Sequence, residues 1–86
     1  MARVRIPTPL RSYTGRAEVE AEGATLGALL SDLDRLYPGL RFRVVDEQER
    51  TRPHVRFFVN GEAVRDLGRP LSPDDVVFIV PALSGG

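Results

Sequence analysis

The segment Leu83-Ser84-Gly85-Gly86 closes the sequence, and its two glycines are the residues best suited to chemistry. Glycine has no Cβ, so such an end can thread a narrow channel and offer its terminal carboxylate from any side. A carboxylate is a poor acyl donor at neutral pH. Its use requires a partner that activates it with ATP to an acyl-adenylate, and attack by a sulfur nucleophile would then leave a thiocarboxylate on Gly86. A terminal glycine pair alone is weak evidence, because most chain ends simply fray. Here the pair follows a strand-like run and Pro81 with no linker between them.

The remaining candidates for chemistry are poorer. There is no cysteine, which excludes a thiolate nucleophile, a disulfide framework and a cysteine metal site. His54 is the single histidine and has neither a second ligand nor a nucleophile at a useful spacing. Asp32, Asp34 and the run from Asp46 to Glu49 read as solvated surface, and none shows metal-ligand spacing. Arg11 beside Tyr13-Thr14-Gly15 could meet an anion, but no glycine-rich phosphate fingerprint follows and a turn explains the glycine. Every basic residue is Arg, so the side chains supply no amine.

At 86 residues the chain makes one domain, too small for a deep enclosed small-molecule site. Twelve basic and twelve acidic residues cancel, so the basic excess of a nucleic-acid or anionic-membrane binder is missing. No secretory or membrane-spanning apolar run is present, and the expectation is a soluble cytoplasmic protein.

The elements that would position the terminus follow from periodicity. Arg3-Val4-Arg5-Ile6 alternates as a half-buried strand that Pro7 and Pro9 end. Tyr13-Thr14-Gly15 reads as a turn into a second strand over 16–20, with Ala17 and Val19 inward. Paired antiparallel, the two would set Arg3 and Arg5 against Glu18 and Glu20 on an outer face. Thr25 is an N-cap for a helix in which Leu26, Leu29, Leu30, Leu33 and Leu36 form one stripe, stopped before Pro38. Residues 40–53 read as one irregular or helical turn and a charged surface loop. A strand over 55–59, an Asn60-Gly61 hairpin turn and a short return strand over 62–65 follow. The run 76–80 shows no alternation and closes the domain. Since one main helix covers one sheet face, the other face is a candidate docking surface, with Phe58, Val77 and Ile79 as its named residues.

These residues resemble the ubiquitin-like sulfur carriers, a group that includes the small subunit of molybdopterin synthase, the thiamine-pathway carrier and a cysteine-synthesis carrier. The motifs that carry the likeness are Ile6-Pro7-Thr8-Pro9-Leu10-Arg11 with Tyr13-Thr14-Gly15, then Val59-Asn60-Gly61-Glu62-Ala63-Val64-Arg65, and the Pro81-Ala82-Leu83-Ser84-Gly85-Gly86 end. The first two look most like the cysteine-synthesis type. Arg16, Ala63 and Leu83-Ser84 depart from the common pattern.

The resemblance implies an α+β, β-grasp fold over 1–81, with first and last strands central and parallel, and a flexible tail over 82–86. It implies that Gly86 is the adenylated and thiocarboxylated residue and Gly85 the spacer, with Ser84 and Leu83 completing the tail. It implies no bound cofactor, with ATP used by an adenylating partner of the ubiquitin-activating type. A sulfur donor and an acceptor enzyme of cysteine, molybdopterin or thiamine biosynthesis complete the set. The chain itself would not be an enzyme. Two readings stay open beside it: a protein modifier conjugated through Gly86, and a non-catalytic interaction subunit.

Overall fold

A computed structural model describes residues 1–81. Strand β1 (Ala2–Arg5) leads through a 3-10 turn (Thr8–Leu10) into one helical turn, α1 (Arg11–Thr14), and then β2 (Glu18–Ala21). Helix α2 (Leu26–Leu36) and short α3 (Leu40–Val44) precede β3 (Val55–Val59), β4 (Glu62–Val64) and β5 (Val76–Pro81). The five strands form one mixed sheet in the order β2-β1-β5-β3-β4. Strands β1 and β5 pair in parallel, and every other neighbour is antiparallel. First and last strands are thus adjacent, as the β-grasp expectation requires.

The helix forms where its cap and its stripe place it. Thr25 is extended and its Oγ1 accepts from the Ala28 N–H at 3.1 Å, satisfying one orphan donor of the first turn. Leu26, Leu29, Leu30 and Leu33 are all essentially inaccessible to solvent. They meet Val4, Phe57, Val59 and Val77 in one core cluster. Leu36, the fifth member of the expected stripe, is 40% exposed. Ten residues separate it from Leu26, which at 3.6 residues per turn carries it about 80° round the helix, to the flank of the buried arc.

Two segments differ from the sequence expectation. Tyr13-Thr14-Gly15 is the end of a helical turn; Pro7 caps the preceding 3-10 turn, Pro9 is its second residue, and Gly15 stops α1 at φ 70°. Pairing in β2 consequently starts at Glu18, and Ala21 is buried in place of the half-buried Ala17. Residues 40–53 behave as expected, with one short helix and a loop. Asp34 ties α2 to α3 there, its Oδ1 accepting from the N–H groups of Gly39 (3.0 Å) and Arg41 (3.2 Å).

Both central residues of the β3–β4 hairpin have positive φ, 50° at Asn60 and 88° at Gly61. Asn60 does more than turn the chain. Its Oδ1 accepts from the Val76 N–H at 3.0 Å, and its Nδ2 donates to Asp75 Oδ1 at 2.8 Å. The hairpin thereby fixes where β5 begins.

Candidate functional site

Strand β5 is held on both sides. Val55↔Pro81 through Val59↔Val77 register it against β3, and Arg3↔Val76 through Arg5↔Phe78 register it against β1. Pro81, which has no N–H to donate to a ladder, is still paired opposite Val55. The terminal segment is therefore rooted in a strand paired on both sides. Leu83, Ser84, Gly85 and Gly86, like the whole of the tail assigned to 82–86, lie outside the described residues.

The sheet face turned away from α2 carries one continuous row across all five strands. Glu18 pairs with Arg5, Arg5 with Phe78, Phe78 with Phe58, and Phe58 with Ala63. Phe78 is 42% exposed and Phe58 half-buried, with half-buried Val76 and Val80 on either side of Phe78 along β5. Arg5 Nη1 lies 3.2 Å from Glu18 Oε1 and closes one flank. The face is thus an apolar centre with a charged border, the anatomy of a protein–protein contact.

Val77 and Ile79, named from the sequence for that docking role, do not belong to it. They are 0% and 3% exposed and face α2 in the core. A strand alternates strictly, so Phe78 must point opposite to its two neighbours. The apolar run hides this alternation, because both of its faces are made of the same residue types. Phe58 lies on the outer face, together with Phe78, Val76 and Val80, which the sequence reading missed. The register opposite Arg3 and Arg5, whose charge marks the outer face, is the signal that assigns them, and that pairing exists only in the fold.

The other groups considered for chemistry serve the backbone. Asp32 Oδ2 accepts from the Glu22 N–H at 2.9 Å, and this bond, aided by Arg35, holds its carboxyl below the usual range. Asp46 is lowered chiefly by the Arg50 N–H at 3.0 Å and by that of Gln48. Asp75 is lowered by the Ser72 N–H at 2.8 Å and the Asn60 amide. These are loop ties; Asp32 and Asp46, read from the sequence as solvated surface, lie at the surface but are bonded to the backbone. His54 is exposed, and among the described residues no cluster of His and carboxylates could hold a metal. No helix of the described residues is long and apolar enough to cross a membrane.

A mixed sheet wrapped on one main helix, with parallel neighbouring first and last strands and a free outer face, is the architecture of the ubiquitin-like proteins. Residues 4–86 match the ThiS family. Sulfur carrier protein CysO of Mycobacterium tuberculosis is 42% identical over 89 residues, 96% of each chain. The crystal structure of M. tuberculosis CysO superposes with a TM-score of 0.91 at 38% identity, over 96% of this chain and 100% of that one. A chain in the Amycolatopsis orientalis BexX/CysO complex superposes with a TM-score of 0.93 at 36% identity, over 100% of both. Small archaeal modifier protein 3 of Haloferax volcanii is 34% identical over 68 residues, 76% of this chain and 73% of its own. The chain belongs to the ThiS family of ubiquitin-like sulfur carriers.

Proposed function

We propose that the Gly86 carboxylate is the sulfur-carrying group, first adenylated by an ATP-dependent partner of the ubiquitin-activating type and then converted to a thiocarboxylate. Attack by a sulfur donor on the acyl carbon forms the C–S bond and releases AMP, and the thiocarboxylate then passes its sulfur to an acceptor enzyme. ATP is bound by the partner, so the carrier needs no cofactor and performs no catalysis itself. The observation that carries this reading is the Gly85-Gly86 pair, which falls within the stretch matched by the ThiS family, residues 4–86. The outer face centred on Phe58 and Phe78 is the docking surface for these partners. Cysteine synthesis in the cytoplasm is the destination we assign, supported by the two CysO likenesses and by the motifs around Pro7 and Asn60.

The test uses intact-mass measurement after incubation with the organism's adenylating enzyme, ATP and sulfide, followed by a thiol-alkylating probe. No cysteine competes for the probe. Label on Gly86, abolished by deleting that residue with the thermal midpoint unchanged, is the expected result. An unlabelled wild-type chain beside a labelled control carrier would overturn it.

A second reading has its own support in the likeness to a small archaeal modifier. Conjugation through Gly86 to amines of target proteins predicts amide adducts in cell lysate that survive thiol reagents.

A further inference from the structure

Beside the root of the tail lies a groove of about 420 Å³ that the outer-face contact does not use. Pro81 is on its rim, with Leu10, Val55 and Ile79 lining it. Phe42 forms a wall and is 57% exposed, more than any other aromatic ring among the described residues. Arg52 braces this ring. Its Nε donates to the Phe42 carbonyl at 2.7 Å and its guanidinium carbon stands 4.4 Å from the ring centroid. Arg43 and His54 complete the polar part, and no carboxylate is among the lining residues. Arg52 also acts on the Asp46 carboxylate, whereas Arg43 makes no hydrogen bond or ion pair among the described residues.

Geometry sets this groove close to any activating complex. Five residues separate Pro81 from the end of Gly86, a reach of at most about 17 Å. An enzyme that shields the acyl carbon from water must therefore close around the tail within that distance of the groove. Phe78 lies three residues further back along β5, about 10 Å away. Along β5 the groove at Pro81 is therefore nearer the tail than the centre of the sheet is.

We propose that this groove seats a segment of the adenylating enzyme in which an apolar side chain is flanked by carboxylates. The apolar side chain fills the space against Phe42 and Val55, and the carboxylates face Arg43 and His54. The proposal rests on the reading of Gly86 as the adenylated residue and names a second contact for that partner, separate from the Phe58–Phe78 face.

The experiment is ATP–pyrophosphate exchange by the adenylating enzyme, measured against the concentration of full-length carrier. Arg43→Glu and His54→Glu, single and combined, change exposed side chains, and thermal midpoints check that the fold is kept. In the combined variant KM is expected to rise at least about tenfold at low salt with kcat within about twofold, the signature of lost docking without lost chemistry. The difference should shrink in high salt, and Arg43→Lys should behave as wild type. A combined variant with unchanged KM and salt dependence, on a wild-type background that is adenylated, overturns the groove contact alone. A wild-type chain that supports no exchange, or a Gly86 deletion that supports it fully, overturns the underlying reading and the groove contact with it.

Discussion

Phe78 and Val77 are neighbours of similar apolar character with opposite fates. Val77 joins the leucines of α2 in the core and is closed to water, whereas Phe78 lies opposite Phe58 on the outer face and stays open. A charge at the two positions should therefore act on different quantities. Val77→Asp leaves an unpaired carboxylate in the core and is expected to destabilise by at least about 3 kcal/mol, enough to unfold much of a small domain. Phe78→Asp is expected to move the thermal midpoint by only a few degrees while it weakens docking to the adenylating enzyme several-fold. Calorimetric melting together with a binding titration distinguishes them, and a collapse of both melts would show that Phe78 is structural. Asn60 illustrates the same point at a polar residue. Its positive φ is legible from the Asn-Gly pair, but its bonds to Val76 and Asp75, sixteen and fifteen residues on, are not.

Among the elements, α2 was the most legible because its signal is local. A cap residue, an apolar stripe of helical period and a closing proline lie within one stretch of chain, so no distant contact is needed to read them. Only the end of the stripe needed the fold. Leu33→Ala should cost about 2–5 kcal/mol, since it opens a cavity in a closed core. Leu36→Ala should stay within about 0.5 kcal/mol, because the side chain is already 40% exposed and Ala favours the helix. Urea midpoints of the two variants measure this directly. The stretch over 8–17 was harder to read, because prolines end a strand and open a helix with equal ease. There the competing local signals were settled by Leu10, which is buried, and by Gly15 in the left-handed region.

For the whole molecule, three carboxylates with lowered pKa link separate loops to the core elements. Asp32 joins the β2–α2 connection to the helix, Asp46 closes the loop after α3, and Asp75 joins the hairpin to β5. In each the folded state favours the charged form more than the unfolded state does. Their contribution is thus full above the ordinary carboxylate range and is lost as pH falls through the lowered folded values. The thermal midpoint should be flat near neutrality and fall progressively below about pH 4. Asp75→Asn should lower the neutral-pH midpoint and flatten the acid limb, and an unaltered limb would show that Asp75 carries none of it.

The helix, the hairpin turn, the Arg–Glu pairing of the first two strands and the Gly-Gly pair are legible without the fold. Each of these is written in residues near one another in the chain or in strict alternation. Tertiary structure alone decided which side of β5 faces water and where β5 begins. Both depend on register between strands distant in sequence, set by Arg5 opposite Phe78 and by Asn60 clamped to Val76. The same holds for the groove at the tail root, where Leu10, Phe42, Arg43, His54 and Pro81 meet. Such a meeting leaves no periodic trace along a chain, because periodicity reports which face a residue takes and not what stands opposite it.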